Sequence, residues 1–138
     1  MKKYIIDANA LISYVTDRNP EQQRKVAGYF EEAGRTGGLI LCPQNVLTEF
    51  IYVLDRVYGV SKNDIRLMAE DLLAMPGIEL VHEIDFQAVF NLWPRPLEDF
   101  GDAIVASLGT LHKGSSVLTF DRKFTQTLRK LGVAVEKQ

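Results

Sequence analysis

The feature that most limits the fold of this chain is its rhythm: short apolar runs, each separated from the next by segments with helical spacing. A tight turn cannot join two parallel strands. A chain that returns each strand through a helix therefore builds a parallel sheet, and such a sheet is covered on both faces. Lys3 to Ile6 form the first run, cut off at once by Asp7, and Leu11, Ile12 and Val15 then give a helical pattern over 8–15. Asn19-Pro20 supplies a cap and a first-turn proline for a helix with an apolar face of Val26, Tyr29, Phe30 and Ala33, ended by Gly34, Gly37 and Gly38. A second strand is predicted at 39–41. Pro43 then opens a helix that carries Val46, Phe50, Val53, Leu54 and Val57 and stops near Gly59. Ser61 and Asp64 resemble a capping pair for a helix over 65–75, which Pro76-Gly77 ends. Further strands are predicted at 78–81, 117–120 and 133–135, and helices at 85–92, 99–111 and 122–131. Trp93-Pro94-Arg95-Pro96 breaks the helical pattern.

A length of 138 residues with 46% hydrophobic and 25% charged residues fits one domain, 1–138, with a substantial core. The early break at Asp7 leaves no signal-peptide core and no run near the roughly 20 apolar residues of a membrane span, so a cytoplasmic protein without membrane contact is expected. Cys42 is alone, which excludes an intrachain disulfide and gives no zinc signature; it reads as a small packing residue. Sixteen Lys and Arg against 18 Asp and Glu give a net charge of −2, so the broad basic face of a DNA-binding module is not evident. That balance leaves a metal-dependent nuclease open, because bound cations bring their own positive charge.

Four acids draw attention. Asp7 and Asp121 each stand at the end of a predicted strand, and open parallel sheets bind ligands beyond the carboxyl ends of their strands. Either could equally cap the helix that follows. Glu49 lies at the border of the apolar face of its helix, while Asp55 points to the opposite side. Asp102 falls in the first helical turn below Ala106 and Gly109, a narrow small-residue stripe that nothing bulky shields. Asp102 could instead merely complement the helix dipole, as could Glu98 and Asp99.

Ile5-Ile6-Asp7-Ala8-Asn9-Ala10-Leu11-Ile12, the Glu of the long helix, Gly101-Asp102-Ala103-Ile104-Val105-Ala106 and Leu118-Thr119-Phe120-Asp121-Arg122-Lys123-Phe124 together resemble the PIN-domain family. The order and spacing run over almost the whole chain, and the size is similar to that of single-domain VapC-type toxins. The resemblance implies a three-layer α/β/α sandwich around a mainly parallel sheet, Mg²⁺ or Mn²⁺ as cofactor, and endoribonuclease activity on RNA. Its four acidic positions fall on Asp7, Glu49, Asp102 and Asp121, which it implies as catalytic metal ligands, with Asn9 and Thr119 as supporting polar residues. Asp99, one helical turn from Asp102, can share or replace a ligand position. The toxin likeness further implies an antitoxin that inserts a basic residue near the acids, and self-association into a homodimer.

Hard Mg²⁺ and Mn²⁺ ions prefer oxygen ligands, so carboxylates suit them and no histidine base is required. His82 and His112 accordingly read as structural. Arg122 and Lys123 are placed to meet phosphates or to form a solvated helix start, and Trp93 and Phe100 to pack in the core or to stack a base. Two rival readings remain. A haloacid-dehalogenase-like phosphatase also places an Asp after its first strand but has a second Asp two residues later, where Asn9 stands here. A non-catalytic PIN-like module that binds RNA or protein is opposed only by the complete acid set.

Overall fold

The computed structural model describes residues 2–137. Its sheet has four strands, β1 (Lys3–Ile6), β2 (Leu39–Pro43), β3 (Ile78–Val81) and β4 (Ser115–Leu118), in the order β3-β2-β1-β4 with every pairing parallel. Seven helices join them: α1 (Ala8–Val15), α2 (Pro20–Thr36), α3 (Gln44–Arg56), α4 (Lys62–Leu73), α5 (Phe86–Phe90), α6 (Phe100–Leu111) and α7 (Arg122–Lys130). The result is the expected α/β/α sandwich. Ile5, Ile6, Ile40, Cys42 and Val117 are fully buried in the sheet layer; Phe50 and Leu54 of α3, Val105 of α6 and Leu128 of α7 are core residues from the helices. Among the described residues no helix is long and apolar enough to cross a membrane.

Local signals set most boundaries. Asn19 and Ser61 cap α2 and α4 by accepting from the N–H groups of Gln22 and Asp64. Helix α2 runs through Gly34 and closes at Gly37, where φ of +75° is a conformation that favours glycine. Cys42 is buried, its thiol pushed up to about 12 by burial, in keeping with a packing role.

Three expectations shift. Pro43 ends β2, opposite Val81, instead of opening α3. The strand β4 lies at Ser115–Leu118, two residues earlier than 117–120, because it pairs in register with β1 from Lys3↔Ser115 to Ile6↔Leu118. Its buried serines hide from a pattern search yet are satisfied: Ser115 Oγ donates to the His112 carbonyl at 2.6 Å and Ser116 Oγ to Glu136 at 2.6 Å. The strand predicted at 133–135 is reduced to one bridge, Val117↔Val135. The Val133 N–H is taken by the Leu128 carbonyl at the end of α7, so pairing with Val117 begins only at the Ala134 carbonyl. The stripe above Asp102 is also closed further along. A Cβ at Gly109 would lie 2.6 Å from Val133 Cγ1, so Gly109 lets α6 approach the sheet layer closely.

Candidate metal centre

An all-parallel sheet turns the carboxyl ends of its strands to one edge, and the next residues along the chain build that edge. Asp7 follows β1 and caps α1, its Oδ1 accepting from the Ala10 N–H at 2.9 Å. Asp121, three residues beyond β4, caps α7 in the same way through Phe124 at 3.0 Å. Asp99 caps α6, accepting from the Asp102 N–H at 2.9 Å, and so places Asp102 one turn in. Capping does not use up these side chains: a single carboxylate oxygen satisfies each cap.

A cavity of about 170 Å³ brings the acids together, lined by Asp7, Ala8, Asn9, Asn45, Val46, Glu49, Asp99, Gly101, Asp102, Val105 and Asp121. All four predicted acids are there, and so is Asp99. Burial pushes the Asp7 carboxyl up to about 7, against hydrogen bonds from the Thr119 hydroxyl and the Ala10 N–H; Asp121 and Glu49 raise it further. Asp102 is also pushed up to about 7, first by burial, then by the negative charges of Asp99, Asp7, Asp121 and Glu49. Glu49 is raised by burial and then by Asp99. Asp7, Asp102 and Glu49 are thus each raised in part by neighbouring acids.

The two supporting residues hold the strand ends. Thr119 Oγ1 accepts from the Asp121 N–H at 3.1 Å while its hydroxyl donates to Asp7, so one side chain links the acids at the ends of β1 and β4. Asn9 Oδ1 accepts from the Phe120 N–H at 3.0 Å, tying α1 to the same segment. Lys123 lines an adjoining groove of about 260 Å³ with Asp102, Asp121 and Thr127, whereas Arg122 lines neither space. Both histidines lie away from the acids, and His82 Nδ1 is 3.2 Å from Gln44 Oε1. Phe100 is outside the core. With Phe86, Phe90 and the half-buried Trp93 it forms an aromatic cluster at the surface, the Trp93 and Phe100 rings 5.0 Å apart and edge to face.

Asn45 is the lining residue that the sequence did not single out. Its signal was available: four residues before Glu49, it shares the same helical face. Its Oδ1 is buried without a hydrogen-bond partner.

The set of donors is all oxygen, which suits a hard cation. Among the described residues, no three Asp, Glu, His or Cys side chains form a group able to hold an ion directly. The fit is therefore to an ion that keeps part of its water shell, as Mg²⁺ does.

A parallel α/β/α sandwich with an acid-lined cavity at its carboxyl edge defines a class of domain whose chemistry sits beyond the strand ends. The PIN domain family model matches residues 4–130, and the chain belongs to the PIN domain family. PIN domains are generally nucleases and usually use divalent metal ions. Among solved structures, the chain is similar to PAE2754 from Pyrobaculum aerophilum at 15% identity, with a TM-score of 0.59 over 94% of this chain and 95% of that one. It is also similar to the PIN domain endonuclease Utp24 at 17% identity, with a TM-score of 0.54 over 99% of this chain and 86% of that one. At those identities the likeness is one of fold. No curated protein matches the sequence.

Proposed function

We propose that this protein is a divalent-metal-dependent endoribonuclease and the toxin of a toxin-antitoxin pair. One observation carries the nuclease reading: Asp7, Glu49, Asp99, Asp102 and Asp121 line one small cavity, while the ion pairs of the described residues all lie elsewhere. Like charges gathered around one cavity with no cation among them oppose folding, and a bound metal ion reverses that opposition.

When bound, Mg²⁺ or Mn²⁺ supplies an activated water, a clamp on the phosphate and compensation for charge on the leaving oxygen. Asp7 and Asp102 are the direct ligands in this proposal. Glu49 is a ligand or orients the attacking water, and Asp121 serves a second or outer ion. Asp99 can share the Asp102 position. Thr119 holds the Asp7 carboxylate in place, and Asn9 fixes the backbone before Asp121. Lys123 is positioned for a phosphate of the substrate strand in the adjoining groove.

RNA as substrate, the toxin role and a cytoplasmic location rest on the resemblance to VapC-type toxins. The antitoxin and the homodimer are supported by apolar surface: the aromatic cluster, and a groove beside α3 and α4 lined by Ile51, Ile65, Ala69 and Leu73. The phosphatase alternative is disfavoured because Asn9, where its second acid belongs, spends its oxygen on the Phe120 N–H.

Structured RNA incubated with the protein and Mn²⁺ should be cut at internal positions, with EDTA abolishing the reaction. Asp7→Asn should lower the rate at least about 100-fold, as expected for loss of a group acting in the transition state. Mn²⁺-dependent cutting by the variant at the wild-type rate would refute the assignment.

A further inference from the structure

We infer that Asn45 is a positioning residue of this centre: its Oδ1 accepts a hydrogen bond from a water molecule of the hydrated divalent cation and so orients that water. The inference rests on the nuclease reading above and deepens it.

Asn45 lies in the first turn of α3, directly beyond the carboxyl end of β2, and one helical turn before Glu49. It lines the acid cavity, and its Oδ1 is buried without a partner. Buried side-chain oxygens are normally satisfied, so an unsatisfied one in a cavity wall calls for an explanation. The amide packs against Gly101. A Cβ at Gly101 would come within 3.5 Å of Asn45 Nδ2 and 3.2 Å of Asp99 Oδ1, so glycine at 101 leaves room for both groups. With Nδ2 on the side of Gly101 and Asp99, the orientation also keeps the amide oxygen from facing a carboxylate.

The surroundings decide what can donate to that oxygen. Apart from the Asn9 amide, the polar side chains lining the cavity are Asp7, Glu49, Asp99, Asp102 and Asp121. With a divalent cation bound these carboxylates are ionised, and an ionised carboxylate accepts hydrogen bonds and donates none. A donor must therefore come from within the cavity. Water in the shell of a divalent ion is such a donor, strongly polarised and held where these carboxylates hold the ion. A neutral acceptor can orient it without adding a sixth negative charge.

Mn²⁺ titrated by calorimetry into the full-length, metal-free protein tests the inference without reference to activity. Asn45→Leu, close in size and lacking the acceptor, should bind Mn²⁺ about 10-fold more weakly, the scale found for residues that act through a metal's outer shell. Its metal-free Tm should stay within about 4 °C of wild type. Asn45→Asp, which keeps the acceptor, should bind Mn²⁺ at least as tightly as wild type. Asn45→Ala, which cannot crowd α3, should repeat the loss seen with Leu. Wild-type Mn²⁺ affinity in both Asn45→Leu and Asn45→Ala would overturn the inference while leaving the metal centre standing. A fall of much more than 4 °C in the metal-free Tm of both would overturn it too, by showing that Asn45 holds the fold. Absence of Mn²⁺ binding by the wild-type protein would overturn the nuclease reading and this inference together.

Discussion

Helix α3 separates two hollows that treat charge in opposite ways. Asn45, Val46 and Glu49 look into the acid cavity, whereas Ile51 and Asp55 line the apolar groove beside α4. In the groove every named charge has a partner. Lys62 Nζ lies 3.3 Å from Asp55, and Arg66 Nε lies 2.9 Å from Glu70. In the cavity five carboxylates meet and the ion pairs lie elsewhere. An acid with a cation supplied by the chain serves the fold, while in the proposed function an acid left among other acids takes its cation from solution. Residue type does not make this distinction, since Glu49 and Asp55 are six positions apart on one helix. Direction does.

That contrast can be broken from either side. After Asp7→Asn, the largest change is expected at Thr119→Val, which keeps the β-branched shape while removing the donor to Asp7 and the acceptor for the Asp121 N–H. RNA cleavage and Mn²⁺ affinity should fall about 10- to 100-fold, and Thr119→Ser should recover most of both. Equal loss in the two variants would mean that packing, not the hydroxyl, matters there.

A medium effect is expected at Asp102. Asp7 and Asp102 hold their protons up to about pH 7 in the metal-free fold, whereas an ordinary Asp carboxyl titrates at 3.8. The folded state therefore binds more protons than the unfolded chain in that window. The stability these raised values provide is complete below about pH 4 and is lost as pH rises through 7. Asp102→Asn removes one contributor. Its metal-free Tm at pH 8 should exceed wild type by a few degrees, on the order of 1 kcal/mol, with a shallower decline between pH 4 and 7. Mn²⁺ should raise the wild-type Tm more than that of the variant. A variant less stable than wild type at every pH would mark Asp102 as a structural group. The smallest effect belongs to the groove, where Arg66→Ala breaks an exposed pair and should move Tm by no more than about 2 °C. A larger shift would mean that the groove's charges do more than screen one another.

How much of this was legible in sequence depended on the distance over which each fact is decided. Asp7, Asp121 and Asp99 are written locally, as acids that cap a helix just after a strand or loop, and their neighbours signal them. The shift of β4 to Ser115–Leu118 is decided by register against β1, which two serines conceal. The lost strand at 133–135 turns on one N–H claimed by Leu128. Asn45 was hardest to see. Its helix start carries no motif, and its importance depends on the close approach of Gly101, far along the chain. The surface placement of Phe100 likewise follows from Phe86 and Phe90 joining it on another helix.

The hydrogen bond from Phe120 to Asn9 spans 111 residues, and it carries a consequence in time. Contacts of such long sequence separation close late in folding. A chain emerging from the ribosome would already carry Asp7, Glu49 and Asp102 while still lacking Thr119, Asp121 and the strand that pairs with the outer side of β1. The acid cavity is thus closed by residues more than a hundred positions apart, and it forms only once β4 and the turn after it have been made.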